Sequence, residues 1–340
     1  MAERADVVVV GGGVMGLATA WALIRAGREP VVLEQFRIGH ANGSSHGSTR
    51  IFRLAYEEPE WVRLAQEALR LWRELEAEKG EQVLDLTGLV DLPADASRLA
   101  WTLDACGARF ELLDAEQVDR RFGLTVATSP AVFQPEAGVA LADRALHAFA
   151  TGVDVRQDAR VAAIAPYAGG VRVETERVAI EANVAVVAVG GWAKPLLGQV
   201  GIDLPVTVTR ETVAYFRLAE LRKVPSVIDY ADGETYALTA GPGLLKVGVH
   251  HSGPPADPGV PAAPDEAIVA REAAWAERSF ALASAEPESA ETCLYTTTDD
   301  TRFVLERHGP IVVCSACSGH GFKFAPAVGV RAAALAVNGR

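Results

Sequence analysis

Three glycines near the start of the chain have the spacing of a phosphate-binding turn. Gly11, Gly13 and Gly16 fit the pattern G-x-G-x-x-G. The first glycine allows a tight turn, the second lets a pyrophosphate approach the backbone, and the third lets helix and strand pack closely. Glu34 follows Gly16 at close to the roughly 20-residue spacing that is expected of an acid that binds a ribose hydroxyl. These residues predict a dinucleotide site for FAD or NAD, whereas the acid disfavours NADP because it would repel a 2′-phosphate.

The segment around these glycines has the pattern of a βαβ unit. Residues 7–10 are four valines, a continuous apolar run typical of a strand that is buried on both faces. The apolar stripe of a helix follows, formed by Leu17, Ala20, Trp21 and Ile24. Gly27 is its predicted stop, and a second strand over 30–33 leads into Glu34. The order predicts a Rossmann-like nucleotide domain; the alternative is an ordinary βαβ unit with a Gly-rich turn.

Length and charge limit the class of protein. The chain has 340 residues, more than one hydrophobic core usually covers, so two domains are expected. A net charge of −12 argues against nucleic acid or an anionic membrane as a partner. The start of the chain does not resemble a signal peptide, and four cysteines do not suggest a disulfide scaffold. We expect a cytoplasmic protein in a reducing setting.

Two further features leave their roles open. Cys314 and Cys317 have the C-x-x-C spacing of redox or zinc sites, but no second pair accompanies them, so no metal site is predicted. Lys246 lies between Leu245 and Val247 on a predicted apolar strand. It is either an outward-facing strand residue or a buried functional cation, and strand alternation by itself favours the outward orientation.

Seven stretches in order identify a family. They are GGGVMG with Glu34, GSSHGSTRIFR at 43–53, PEAG at 135–138, VVAVGGWA at 186–193, LLKVGVH at 244–250, TCLYT at 292–296 and SGHGFKF at 318–324. Together they resemble the monomeric sarcosine oxidase and N-methyltryptophan oxidase family, within the glycine and D-amino-acid oxidase group of FAD enzymes. The resemblance runs nearly end to end, and it implies FAD as the cofactor and a monomer.

The resemblance also implies a fold. We expect an α/β protein of two domains, with a Rossmann-like FAD-binding domain and a mixed-sheet substrate domain. The FAD-binding domain is predicted to be discontinuous (1–56, 137–203 and 290–340), and the substrate domain to comprise 57–136 and 204–289. Within them the patterns predict helices over 60–79 and 265–282 and a strand over 153–164.

The resemblance assigns chemistry to five residues. Lys246 falls at the position of the family's oxygen-activating lysine. The resemblance therefore favours a buried functional cation over an outward-facing strand residue. Arg53 and Lys323 would hold the substrate carboxylate. His250 shares the strand face of Lys246, and Tyr236 would line the substrate pocket.

The resemblance further implies a covalent flavin. Cys293, in TCLYT, falls where the family joins a cysteine sulfur to the 8α carbon; the alternative role is a small buried hydrophobe. The residues expected to contact FAD are Gly11, Gly13, Val14, Met15, Gly16, Glu34, Gln35, Ser44, His46, Thr49, Arg50, Val161, Gly190, Trp192, Cys293, Gly319, His320, Gly321, Phe322 and Lys323.

The expected reaction is oxidation of a secondary (N-methyl or cyclic) α-amino acid to an imine, with dioxygen reduced to hydrogen peroxide. One alternative is an FAD-dependent dehydrogenase with a different electron acceptor. Others are a nucleotide-binding protein without redox turnover and an NAD-dependent dehydrogenase. Position 48 is Ser, where relatives often have Asp, so the walls of the pocket are expected to differ from those of the family.

Overall fold

Regular elements cover most of the chain in the computed structural model, which describes residues 3–127 and 130–338. Its strands are β1 (Glu3–Val10), β2 (Pro30–Leu33), β3 (Thr49–Phe52), β4 (Leu84–Asp85), β5 (Leu89–Leu92), β6 (Glu111–Leu113), β7 (Ala131–Gln134), β8 (Gly138–Leu141), β9 (Asp154–Arg156), β10 (Val161–Tyr167), β11 (Gly170–Thr175), β12 (Ala179–Val187), β13 (Thr207–Arg217), β14 (Ser226–Asp229), β15 (Thr235–Gly241), β16 (Leu244–Val249), β17 (Ser289–Thr297), β18 (Val304–His308) and β19 (Ile311–Ser315). Its helices are α1 (Val14–Arg25), α2 (Pro59–Lys79), α3 (Ala96–Ala105), α4 (Ala115–Phe122), α5 (Ala142–Ala150), α6 (Ala193–Gly198), α7 (Glu266–Ser279) and α8 (Ala325–Asn338).

The four valines of β1 lie in the centre of the first sheet. This sheet has the order β10-β11-β12-β1-β2-β9, with β19 beside the end of β12 and β18 beside β19. The strands from β9 through β2, β1 and β12 to β19 are parallel, and α1, α5 and α8 pack together beside them. The predicted α/β class with a Rossmann-like sheet is confirmed.

The second sheet is mixed and contains eight strands in the order β17-β13-β16-β15-β14-β5-β7-β6. Its pairs are antiparallel except for β14 with β5, and α7 packs on β13 and β16. A small third sheet has the order β3-β8-β4. Because β17 belongs to the second sheet, residues 290–297 pair with strands of the predicted substrate domain. The division into two domains remains a prediction.

Two predicted elements have different bounds in the structure. The strand expected over 153–164 is two strands, β9 against β2 and β10 against β11, because Asp158 between them adopts a left-handed φ of 54°. The helix expected over 265–282 ends at Ser279, where Phe280 turns extended and packs on Trp275. The helix expected over 60–79 is confirmed. Among the described residues, no helix is both long and apolar enough to cross a membrane.

Close backbone packing holds α1 in place. A Cβ atom on Gly16 would lie 1.9 Å from the carbonyl oxygen of Gly11, which itself has a φ of 104°. On the other side of α1, a Cβ on Gly329 of α8 would lie 2.5 Å from the backbone of Ala18. The glycines therefore allow β1, α1 and α8 to approach more closely than side chains would permit.

This packing predicts the effect of adding one methyl group. Gly329→Ala should lower the free energy of unfolding by about 1–3 kcal/mol, because α8 must move away from rigid backbone. The matched control is Gly198→Ala in α6, where a Cβ would meet nothing within 4 Å and where alanine should be neutral or stabilise by about 0.5–1 kcal/mol. Urea unfolding measures both changes, and equal changes would contradict the packing argument.

A buried acid lies under the second sheet. Glu272 of α7 is fully buried, and among the described residues its carboxyl oxygens lie near the backbone of Val249 and Ala214 without well-formed hydrogen bonds. Burial raises the pKa of Glu272 to about 9, because the charged form is poorly solvated there. The carboxyl group is therefore protonated near neutral pH.

This raised pKa predicts a pH dependence of stability. The folded state keeps the proton up to about pH 9, whereas the unfolded chain loses it near the ordinary value. The folded state therefore binds more protons between these values, and the free energy of unfolding falls as the pH rises. Between pH 6 and 8 the loss should reach about 2–3 kcal/mol. Glu272→Gln should remove this dependence, whereas Glu277→Gln, exposed on the same helix, should leave it. If denaturant titrations show the same pH dependence of the free energy of unfolding for wild type and Glu272→Gln, the prediction is wrong.

Candidate active site

A cavity of about 570 Å³ lies between the first and second sheets, within the size range of ligand sites. Its wall contains the ends of β1 and β2 and the segment after β12 on one side, and residues of β13 to β17 on the other. It brings together the predicted residues Arg53, Tyr236, Lys246, His250, Gly11, Gly13, Val14, Met15, Glu34, Gln35, Ser44, His46, Thr49, Arg50, Val161, Gly190, Trp192, Cys293, Gly319, His320, Gly321, Phe322 and Lys323. Gly16 does not line the cavity and serves the packing of α1 on β1.

The glycine turn leaves backbone donors at one end of the cavity. Gly13 is the N-cap of α1 and supplies no side-chain cap, so the first N–H groups of the helix have few partners within it. The backbone N–H of Val14 donates to Ser45 Oγ at 3.1 Å. A helix N-terminus of this kind favours an anionic group such as a pyrophosphate.

Glu34 lies at the carboxyl end of β2 and is almost fully buried. Its Oε2 accepts from the N–H of Gly12 at 2.6 Å, and its Oε1 accepts from the N–H of Phe36 at 2.8 Å. These bonds fix the carboxylate beside the glycine turn, while His40 lies 3.6 Å from Oε1. The acid is therefore positioned beside the turn, as a ribose-binding acid requires.

Arg50 organises the loop over 43–49. Its guanidinium donates to the carbonyl oxygens of Ser44, His46 and Thr49 at 2.5–3.1 Å. Burial first, and Arg50 second, lower the pKa of His46 to about 4, so its ring is neutral. His46 Nδ1 and Thr49 Oγ1 are buried and have no hydrogen-bond partner among the described residues. Unpaired polar atoms of two cavity-lining residues fit a wall that hydrogen-bonds a polar cofactor.

Lys246 is buried in the cavity wall rather than facing solvent. Its side chain is 4% exposed, and Leu245 and Val247 beside it are fully buried. Alternation fails as a guide here because β16 is covered on both faces, with α7 packed behind it. Burial first, and Arg50 second, lower the pKa of Lys246 to about 8.

The cysteines of the cavity wall are free thiols. Burial raises the pKa of Cys293, and the nearby charges of Arg50 and Lys246 oppose that shift. Cys317 Sγ accepts from the N–H of Thr296 at 3.4 Å, and Cys314 is buried at the end of β19. Two cations therefore lie close enough to stabilise a thiolate at position 293.

Arg53 is not a free cation at the other end of the cavity. Its Nη1 donates to Tyr230 OH at 2.8 Å and lies 3.3 Å from Asp91 Oδ2, and its guanidinium carbon lies 4.3 Å from the Tyr56 ring centroid. Asp91 is fully buried; burial raises its pKa to about 7, although Arg53 opposes the shift. Sequence reasoning missed Asp91, Tyr230 and Tyr56; an acid inside the apolar run LVDL was the available signal.

Lys323 is the second buried cation at this end. Its Nζ donates to the carbonyl oxygen of His320 at 2.7 Å. Burial, with the nearby Arg53, holds the pKa of Lys323 well below its ordinary value. Burial also lowers the pKa of His320 to about 3, so this histidine is neutral.

Aromatic residues shape the wall between the two ends. His250 Nδ1 lies 3.3 Å from Tyr295 OH, and burial lowers the pKa of His250 well below its ordinary value. A Cβ on Gly248 would lie 2.4 Å from Tyr236 OH. Gly319, with a φ of 71°, would place a Cβ 2.4 Å from both His250 and Tyr295. Glycines at these two positions therefore let the rings fill the wall.

Comparison with known proteins identifies the family. A family model described as DAO, FAD dependent oxidoreductase, matches residues 6–335. The chain belongs to this family. It is 30% identical to the monomeric sarcosine oxidase of Bacillus sp. (strain B-0618), over 100% of this chain and 94% of that protein. It is 32% identical to the peroxisomal sarcosine oxidase of Homo sapiens, over 95% of this chain and 90% of that protein.

Solved structures agree with this assignment. This FAD-dependent oxidoreductase matches NikD, an unusual amino acid oxidase essential for nikkomycin biosynthesis, with a TM-score of 0.88 and 28% identity. The match covers 100% of this chain and 95% of that chain. L-proline dehydrogenase from P. horikoshii matches with a TM-score of 0.88 at 22% identity, which supports the fold. Family membership decides for FAD over NAD as the cofactor.

Proposed function

We propose that this FAD-dependent oxidoreductase oxidises a secondary (N-methyl or cyclic) α-amino acid to an imine and reduces dioxygen to hydrogen peroxide. The observation that carries the proposal is that one cavity holds the glycine turn at one end and Arg53 and Lys323 at the other. Lys246 lies in the same wall. The sarcosine oxidases and N-methyl-L-tryptophan oxidase among its relatives support an N-methyl substrate, and the monomeric sarcosine oxidases support a monomer.

The chain contributes binding, orientation and charge. When bound, FAD would supply the two-electron redox chemistry that the side chains of the cavity cannot perform. The helix N-terminus at Val14 and the carboxylate of Glu34 would hold its pyrophosphate and ribose. The unpaired atoms of His46 and Thr49 would complete the polar contacts.

Arg53 and Lys323 would hold the substrate carboxylate. Arg53 uses Nη1 for Asp91 and Tyr230, which leaves its remaining N–H groups for a ligand. Lys323 donates to the carbonyl oxygen of His320, which leaves two of the three protons of its charged form, and a carboxylate bound beside it would favour that form. Two buried cations that share one carboxylate would orient the amine end of the substrate.

Removing one cation tests the carboxylate site. Lys323→Met should weaken a carboxylate inhibitor by about one to two orders of magnitude, since a charge-assisted hydrogen bond contributes roughly 1.5–3 kcal/mol. An amine that lacks the carboxylate should lose less. Lys223→Met, on an exposed lysine paired with Asp85, is the control. Equal losses of affinity for both ligands in calorimetric titrations would contradict the assignment of Lys323 to the carboxylate site.

Cys293 would carry the flavin covalently. The link needs a thiolate, and Arg50 and Lys246 oppose the upward shift that burial imposes on the Cys293 pKa. The sulfur lies in the cavity wall, so the thiolate would form inside the site and away from solvent.

The covalent link is tested by denaturation. Acid precipitation of the flavin-loaded protein should give a yellow pellet, and a tryptic flavopeptide should contain Cys293. Cys293→Ser should release its FAD into the supernatant, whereas Cys106→Ser, at a half-buried cysteine outside the cavity wall, should retain it. A colourless wild-type pellet would rule out the covalent link.

Lys246 would assist the reduction of dioxygen. The first electron makes superoxide, an anion, and a cation in a low-dielectric wall stabilises the developing charge. Amine oxidation does not involve oxygen, so the two half-reactions should respond differently to the loss of this charge.

Lys246→Met should be reduced by substrate anaerobically at a near-normal rate. Its reoxidation by air should slow by a factor on the order of hundreds or more, consistent with several kcal/mol of lost stabilisation. Lys194→Met, on an exposed lysine, is the control. Stopped-flow absorbance separates the two steps, and unchanged reoxidation would assign oxygen activation to another group such as His250.

A further inference from the structure

Glu291 contacts Lys246 across the edge of the second sheet. The strand order there is β17-β13-β16, with Glu291 opposite Val213 and Lys246 opposite Tyr215. The two side chains reach across β13, and Glu291 Oε1 lies 3.3 Å from Lys246 Nζ. Glu291 is two residues before Cys293, so both project from the same face of β17.

This carboxylate is the acceptor that the buried ammonium depends on. Among residues 3–127 and 130–338, Nζ of Lys246 makes no other hydrogen bond. A buried ammonium without a partner is costly. The Tyr215 hydroxyl donates to the same Oε1 atom, and the Nζ atom lies 5.5 Å from the Tyr215 ring centroid. Tyr215 therefore holds both members of the pair.

The charges around Lys246 act in opposite directions. Burial and the Arg50 guanidinium of β3 lower its pKa, whereas Cys293, as a free thiolate, and Glu291 of β17 raise it. The other titratable groups nearby are His46 of the loop before β3, Asp143 of α5, Tyr215 of β13 and Glu272 of α7. Glu291 is the carboxylate that hydrogen-bonds Nζ. Burial acts to raise the pKa of Glu291, but Lys246 and Tyr215 outweigh it, and the net shift is downward.

The two members of the pair differ in exposure. The Lys246 side chain is 4% exposed, whereas that of Glu291 is 35% exposed. Glu291 thus compensates the charge of Lys246 from the same face of the sheet and keeps a partly hydrated position itself. A Cβ on Gly47 would lie 3.4 Å from Glu291 Oε1 and 3.8 Å from Lys246 Nζ, so the loop that carries His46 closes over the pair.

We propose that Glu291 is a positioning residue that holds the Lys246 ammonium at the cavity wall in its charged form, with Tyr215 fixing the carboxylate. The inference rests on the proposed function, since it concerns the lysine assigned to oxygen reduction. Without Glu291, burial and Arg50 would favour the neutral amine at a lower pH, and the cation would be lost from the wall in the physiological range.

The first test is the pH profile of reoxidation by air. In wild type the rate should fall as the pH rises through the value at which half of the Lys246 side chains have lost their proton, which is the midpoint of the profile. Glu291→Gln keeps the shape of the side chain and removes its charge, so its midpoint should move down by about one pH unit. At the wild-type midpoint Glu291→Gln should then be about fivefold slower, and near pH 6 the rates should be similar. Glu291→Asp keeps the negative charge, so its midpoint should return most of the way to the wild-type value.

The matched control is Glu288→Gln, an exposed acid in the segment before β17 that pairs with Arg217. Its profile should overlay that of wild type. A residue that only stabilises β17 would lower the rate at every pH without moving the midpoint, so a midpoint that stays in place in Glu291→Gln would overturn the inference.

The second test needs no oxygen and no substrate. A double-mutant cycle with Glu291→Gln and Lys246→Met measures the coupling of the two side chains in the unfolding equilibrium. At pH 7 the coupling between the two side chains should change the unfolding equilibrium constant by about fivefold or more. Additive effects of the two substitutions on the free energy of unfolding would contradict the proposed ion pair.

The two tests separate the inference from the proposed function. If Lys246→Met slows reoxidation and Glu291→Gln does not move its midpoint, the role of Glu291 is wrong and that of Lys246 stands. If Lys246→Met reoxidises normally, the assignment of Lys246 to oxygen reduction fails. In that case the double-mutant cycle still decides whether Glu291 holds the lysine.

Discussion

The burial of positive charge in the wall of one cavity is the constraint on which the rest of the site depends. Lys246 and Lys323 are almost fully buried and Arg53 is 14% exposed. A buried cation is costly unless the protein supplies partners with suitable geometry. Each cation has such a partner: Glu291 for Lys246, the carbonyl of His320 for Lys323, and Asp91 with Tyr230 for Arg53. These partners hold the charges in place before any ligand arrives.

The fold places these charges against the nucleotide end. The parallel sheet brings the glycine turn and Glu34 to its carboxyl edge, where such folds bind dinucleotides. The second sheet lies across that edge and carries Lys246 and Cys293 on its strands. Close backbone packing at Gly16 and Gly329 fixes α1 between β1 and α8. The strands of the two sheets hold Lys246 and Cys293, while loops at the sheet edge supply the glycine turn and the segment over 43–49.

Local patterns predicted the nucleotide half of the structure well. The order of strand, glycines, helix and acid depends on neighbours in sequence, and the structure has each element where the pattern predicts it. The pattern failed for Lys246, because α7 covers the back of β16 and a strand buried on both faces shows no alternation. The residues that neutralise the cations were not predictable in the same way. Asp91 of β5 and Arg53 just after β3 belong to different sheets and meet only in the folded chain, and Glu291 reaches Lys246 across β13. The division of the chain into two domains is still a prediction, since β17 joins the second sheet.

The proposed function requires one cavity to couple oxidation of a secondary α-amino acid to reduction of dioxygen. The most direct measurement is an anaerobic titration of the flavin-loaded protein with N-methyl, cyclic and primary amino acids, followed by admission of air. N-methyl or cyclic amino acids should bleach the flavin absorbance, and air should restore it with one hydrogen peroxide per flavin. Absorbance that no amino acid bleaches, or that air fails to restore with peroxide, would contradict the account.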